Sequence, residues 1–374
     1  MSDKNDKKQS KDDEIKPHRI RFLKWWIIGI ILIFLIVGSY TAGTLYENKH
    51  SSIITNMEQM SPNITESGLI AQDFNLSSNS TPTKVLSGIY VDRIKDVSLS
   101  DSTWDVDFYL WFKWNGSNVN PGENFQVLDG DIQNKELVDN YTNGTLHYEI
   151  YYVKANITKS FDITRFPVDN HILNIEIEDK KTLRQNLIYV ADNGTSDINP
   201  NVQVPGYSIG KILVIEKPHI YNSNFGDPRL GQGGTLYSQL RAGIDISRPD
   251  LGFYFRIFIG LFIAVAAALV ALFIKPTQAE PRFGLGAGAL FVAIANNIIT
   301  SGLIPKTGTL TLADMVNDVG LLLILITIIE STISLYIYDV KGEKKLSRKL
   351  DRISFITLII IYIIINAIII TSAW

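Results

Sequence analysis

The side chains of this chain whose types and spacing suggest chemistry lie in an apolar stretch at 280–304, EPRFGLGAGALFVAIANNIITSGLI. Taken as a helix, Glu280, Gly284, Gly288, Phe291, Ala295 and Ile298 recur at spacings of four, four, three, four and three, so they share one stripe. The stripe starts at a carboxylate, passes small residues and meets one large ring near its middle. Copies of such a helix around an axis would give a pore whose inner mouth gathers cations and whose waist closes by dewetting. The other use of a glycine-rich face is close packing in a helix bundle, and it is the commoner one. Periodicity alone leaves both open.

Other chemistries find little support. With no cysteine, disulfides, thiolate catalysis and cysteine metal sites are excluded. No two of the five histidines fall at a metal-ligand spacing. There is no nucleophile–base pair and no Gly-rich phosphate loop, and Asp129-Gly130-Asp131 is too short for a calcium loop. An enzyme or a cofactor is therefore not expected. A net charge of −3 gives no reason to expect nucleic acid.

The elements that must position the stripe follow from the distribution of apolar residues. Residues 1–24 carry eight Lys or Arg and read as a cytoplasmic basic tail. The apolar run at 25–46 reads as a signal anchor, or as a signal peptide cleaved near Ser39 to Gly43; its near-membrane length favours the anchor. Residues 47–83, rich in Ser, Asn and Thr, read as a flexible tether. From 84 to 250 short β-type runs alternate with Asn-Gly, Pro-Gly, Asp-Gly and Gly-Gly turns, as in HILNIEIE at 171–178. That texture predicts an antiparallel β-sandwich. Eight Asn-x-Ser/Thr sequons, at Asn63, Asn75, Asn79, Asn115, Asn140, Asn143, Asn156 and Asn193, all lie between the first and second apolar runs, which suits an external domain.

Four apolar runs follow, at 251–274, 283–304, about 312–338 and 353–374, giving a four-helix transmembrane domain over 251–374. Basic residues concentrate in the first and third connections, which places those loops in the cytoplasm and the C-terminus outside. The chain is expected in the plasma membrane as a multi-pass protein, sandwich outside, N-terminal tail inside if the first run is retained. Asp314 and Asp318 suit the first turn of a helix, whereas Glu330 is deep and should face another helix or subunit.

An external sandwich leading into four membrane helices resembles the pentameric ligand-gated ion channels (the Cys-loop receptor family) in their cysteine-free prokaryotic form. The resemblance covers roughly 85–374 and rests on FDITRFPVD at 161–169, like the family's signature loop; LWFKW at 110–114, like its second strand, with Trp114 at the structural tryptophan; and ISRPDLGFY at 246–254, like the entry to the first membrane helix. RFGLG at 282–286 is similar to the start of the pore helix, LIPKT at 303–307 to the outer loop of bacterial members, and Asp314 with Glu330 keeps an acidic spacing of the third helix.

The resemblance implies a homopentamer embedded in the lipid bilayer, gated by a small-molecule agonist or by protons and passing ions, cations in the family register. In the family register Glu280 forms the inner ring and Phe291 the hydrophobic gate, with Arg282 about 200° away from Glu280 around the helix. Asp169 and Arg248 would pair where the sandwich drives the membrane helices, and Pro305, Lys306 and Thr307 would receive the motion. Tyr109 on the second strand, with Tyr221, Phe225 and Tyr237 of a hairpin at 221–234, would face a ligand; an aromatic cage suits a cationic amine. The chain departs from the family pattern in having Gly284 and Gly288 where Ser or Thr rings are usual, and in lacking the first helix's mid-membrane proline. A non-conducting surface receptor or adhesion scaffold of the same fold is the competing expectation.

Overall fold

The computed structural model describes residues 17–62, 81–228 and 234–374. Most of the N-terminal tail, the second part of the expected tether with Asn63, Asn75 and Asn79, and the hairpin tip at 229–233 lie outside the described residues. The rest forms two compact units: a sheet unit of His50–Ile163 and Val168–Asp250, and a helical unit holding the described residues up to Lys49, Thr164–Pro167 and Leu251–Trp374.

In the sheet unit, one sheet orders β4 (Gly130–Asn143), β5 (Leu146–Thr158), β2 (Thr103–Asn115), β1 (Thr83–Ser98) and β7 (Leu187–Ala191), with β8 (Asp197–Ile198) also on β1. The other orders β3 (Phe125–Val127), β6 (Asn170–Asp179), β10 (Thr235–Ser247) and β9 (Ser208–Tyr221). Alternation decides which face of each strand is buried. Val106, Phe108, Leu110 and Phe112 of β2 and Leu173, Ile175 and Ile177 of β6 are fully enclosed, as are Leu240, Ala242, Ile244 and Ile246 of β10. Each large side chain in this core contributes about 1.5–3 kcal/mol. The sandwich is not wholly antiparallel as expected: β7 and β8 each run parallel to β1. Parallel pairs need long crossovers, and here β7 reaches β1 only after the chain has passed through β6 of the opposite sheet. Asn193 donates to the Val214 carbonyl and accepts from its N–H, so its amide is already engaged.

Lys159 follows β5, where burial pushes its ammonium down to about 8; Arg241 adds to the fall and Glu176 opposes it. Between that value and 10.5 the unfolded chain holds a proton that the folded chain has lost, so stability rises with pH across this window. Raising pH from 7.5 to 9.5 is expected to add about 2 kcal/mol through this group. Thermal unfolding of the solubilised full chain checks it: Lys159→Met should lose that rise, and an identical pH slope in the variant would refute it.

The helical unit contains α1 (Pro17–Gln59) as far as Lys49, its remaining residues belonging to the sheet unit, with α2 (Gly252–Val270, prolonged by a 3-10 turn at Ala271–Phe273), α3 (Ala279–Ser301), α4 (Leu312–Asp339) and α5 (Lys344–Ala373). All five are long and apolar enough to cross a membrane. At 1.5 Å per residue α1's 43 residues reach about 65 Å, twice a hydrocarbon core of ~30 Å. The helix thus continues through 47–59, where the sequence suggests a tether. Extending a helix already nucleated by an apolar run adds one hydrogen bond per residue fixed, so polar composition alone does not end it. Leu23 of α1 packs with Ile337, Leu346 and Leu350, and Trp26 donates its indole N–H to Ser354.

α4 begins with a reciprocal cap: Thr311 Oγ1 accepts from the Asp314 N–H, and Asp314 Oδ2 accepts from the Thr311 N–H. The next two amides, of Leu312 and Ala313, donate to the carbonyls of Thr164 and Phe166. Four helix-start N–H groups lack intrahelical partners, and the loop supplies two acceptors with main-chain atoms alone. Arg165 in the same loop donates to the carbonyl of Ala373 at the end of α5.

Candidate functional site

α3 has two unlike faces. Arg282, Gly286, Ala289, Ala293, Asn296 and Thr300 are buried against its neighbours. Glu280, Gly284, Gly288, Phe291, Ala295 and Ile298 are all exposed in the isolated chain, Phe291 at 73% and Ile298 at 69%. The glycines separate the two uses that periodicity left open. A Cβ on Gly286 would stand 2.9 Å from Ile328, so this glycine permits close helix packing. On Gly284 and Gly288 a Cβ would meet nothing within 4 Å. The packing face and the charged stripe are therefore different faces of one helix.

The buried face is held by polar contacts. Arg282 makes a bidentate pair with Asp351 of α5 at 2.6 and 3.2 Å, donates to the carbonyl of Ile274, and lies 3.7 Å from Glu330 of α4. Glu330 thus faces another helix of its own chain. Further along, Asn296 donates to Asn317 of α4, and Asn317 donates to Thr300 and to the Ala313 carbonyl. Glu280 sits in the first turn of α3, at the positive end of the helix dipole, while the only cation beside it in sequence is turned inward. Asp351 escaped sequence reasoning because it sits in a run of charges, KGEKKLSRKLDR, that reads as a solvated loop.

At the start of β6 Asp169 is enclosed by three partners. Arg248 Nε lies 3.2 Å from Oδ1; the Tyr207 hydroxyl donates to Oδ2 at 2.7 Å, and His171 Nε2 is 2.6 Å from the same oxygen. Arg248 also stacks on the Tyr207 ring and donates to the Gly206 carbonyl. Gly206 adopts φ +78°, and a Cβ there would press on the guanidinium at 2.7 Å. Burial would raise the Asp169 carboxyl, but the His171 contacts, the Arg248 charge and the Tyr207 hydroxyl together hold it well below the usual carboxylate range. Burial beside Asp169 pushes the Tyr207 phenol far up. Asp169 and Arg248 thus lie in contact within the sheet unit. Pro305, Lys306 and Thr307 belong to the helical unit, Lys306 and Thr307 being exposed. His171 was within reach of the alternation pattern, two residues from Asp169 on the same face of β6; Tyr207 carried no signal.

Three of the four aromatic candidates meet. Tyr221 lies 5.1 Å from Phe225 and 5.5 Å from Tyr237 between ring centres, with His219 at 4.4 Å. Beneath them the buried Glu178 accepts from the Tyr221 hydroxyl at 3.1 Å and sits 2.7 Å from His219 Nδ1. Burial and this carboxylate push the Tyr221 phenol up. Tyr109 is elsewhere: it lies in the other sheet, 4.9 Å from Tyr152 and 6.5 Å from Tyr90. Glu178 and His219 were not among the sequence candidates. Among the described residues, no group of three His, Asp or Glu is placed to hold a metal ion.

No protein-family model matches the chain. One curated relative is a proton-gated ion channel of Gloeobacter violaceus (strain ATCC 29082 / PCC 7421). It is 23% identical over 225 residues. The match covers 60% of this chain and 59% of the relative, so the chain spans somewhat over half the length of that protein. The likeness and the apolar helices together mark a membrane protein.

Proposed function

We propose that this chain is the subunit of a homopentameric ligand- or proton-gated ion channel, cation-conducting, in which α3 lines the pore. The observation that carries this reading is the division of α3: one face is packed through Gly286, Ala289 and Ala293, and the other, with Glu280, Gly284, Gly288, Phe291, Ala295 and Ile298, is left unpacked by its own chain. Five copies closing on that stripe would form a carboxylate ring at one end and a ring of phenyl groups at the middle. Because Arg282 is turned to Asp351, it does not offset the Glu280 ring, and the focused field of that ring favours cations.

In this reading 84–250 is external, the N-terminus is cytoplasmic, and opening passes through Asp169–Arg248 to the loop at Pro305, Lys306 and Thr307. Tyr221, Phe225 and Tyr237 above Glu178 form one wall for a cationic amine; Tyr109 of an adjoining copy would supply the other. Protons are the second agonist class, favoured by the proton-gated relative.

Current through purified pentamer in planar bilayers tests the reading. Acid steps and added small amines should evoke current, and Phe291→Ala should conduct at about tenfold lower proton concentration than wild type, because smaller apolar rings dewet less readily. Under a salt gradient Glu280→Gln should move the reversal potential toward zero. If neither wild type nor Phe291→Ala carries current as a confirmed pentamer, the protein is the non-conducting scaffold instead.

A further inference from the structure

The outward face of the β6–β10–β9 sheet carries Lys217, Gln239 and Arg241, charged or polar side chains on the surface opposite the sandwich core. Yet all three are no more than 2% exposed. Two of them, Lys217 and Arg241, bond to the end of α1. Lys217 Nζ donates to the carbonyls of Glu58 at 3.0 Å and Gln59 at 3.3 Å, and Arg241 donates to Gln59 at 3.0 Å. Asn174 of β6 donates to the Gln59 side chain, and Met60 lies so close to Gly243 that a Cβ there would stand 2.6 Å from its sulfur.

The chemistry is that of a helix C-terminus. Its last carbonyls lack partners and carry a partial negative charge. α1 has no basic residue in its own last turn, and the sheet provides two cations in its place. Arg241 is itself fixed by Glu176 at 3.0 Å.

We propose that the end of α1 is a built-in clasp on the β9–β10 pair, restraining the strands that carry the aromatic hairpin. Its position on those strands makes it a control point. Lys217 pairs with Gln239 in register, and the next outward pair along is His219 with Tyr237, about 7 Å away. In the other direction β10 continues to the Arg248 that holds Asp169. Any movement of the hairpin strands against α1 must break the clasp or carry it along. Its effect on gating rests on the channel reading; the clasp itself does not.

The absence of cysteine makes the test direct. Met60→Cys with Gly243→Cys, in the full chain in membranes, should form a disulfide under mild oxidation, read by peptide mass. Lys217→Met should speed amide exchange in β9 and β10 about fivefold while leaving β2 and β5 unchanged. Adding the oxidised cysteine pair to Lys217→Met should restore the slow exchange. Failure of the disulfide to form, unchanged exchange, or faster exchange across both sheets would each overturn the clasp. In parallel, oxidation of the cysteine pair should shift the proton concentration for half-maximal current at least threefold, reversed by reductant. A conducting channel with no shift overturns the gating role. A wild type that carries no current counts against the channel reading, and the exchange result then decides the clasp by itself.

Discussion

Asp169→Asn is expected to destabilise the sheet unit by about 3–5 kcal/mol and to abolish any response that passes through it. Removing one member of a buried ion pair strands the other, and this loss exceeds what the pair contributes over an apolar substitute. Here the partner that loses its contact is Arg248, whose side chain is 6% exposed. The guanidinium would lose its bond to Asp169 Oδ1 while keeping those to Tyr207 and the Gly206 carbonyl. The pH dependence has a definite sign. A carboxyl held below its ordinary range stabilises the fold at all pH above that range, and the contribution is lost only as pH falls below it. The Asp169 carboxyl therefore stays ionised from neutral pH to about pH 4, so this carboxyl is not expected to be the proton sensor. Thermal unfolding and acid-evoked current on the same preparation check both parts. A variant as stable as wild type would remove the pair from the argument. A variant that folds but responds to acid with an altered midpoint and undiminished current would place the sensor at Asp169 after all.

Arg282→Met should be as damaging in the helical unit. Arg282 joins α3 to Asp351 of α5, to Glu330 of α4 and to the chain leaving α2. Without it two carboxylates remain enclosed together, at a cost of about 3–5 kcal/mol. For a unit of this size that corresponds to a fall of roughly 10 °C in the unfolding midpoint. Arg282→Lys keeps the charge but loses the planar two-pronged donor, and should fall between the two. The triple variant Arg282→Met/Asp351→Leu/Glu330→Leu should recover much of the loss, since replacing all members of a buried ion cluster by apolar groups is often neutral. Equal stability of wild type and Arg282→Met, measured by fluorescence-detected size exclusion after heating, would refute the arrangement.

Much of this fold could be read in the sequence because the deciding forces are local. Alternation at 171–178 fixes which side chains of β6 enter the core, and apolar length fixes α2 to α5. The stripe on α3 was also legible, since a period of 3.6 residues needs no partner to be seen. What escaped depends on partners distant in the chain. Residues 47–59 are polar, and their helix ends on Lys217 and Arg241, some 160 to 180 positions away. Asp351 was hidden among neighbouring charges, and Tyr207 lies in a loop whose spacing to Asp169 means nothing until the strands are paired. The parallel course of β7 beside β1 was invisible for the same reason: each strand shows its own pattern, and direction is set by the crossover between them.

The joint between the loop at Thr164–Pro167 and the first turn of α4 is made of N–H and carbonyl groups. A contact of that kind is written in no side chain. Alanine scanning would pass over Thr164, Phe166, Leu312 and Ala313 and leave both hydrogen bonds standing, since of the twenty residues only proline lacks the donor. Substitution at any of these four positions, proline at Leu312 or Ala313 excepted, therefore leaves the two hydrogen bonds in place: the joint is a matter of where the chain runs rather than of what it carries.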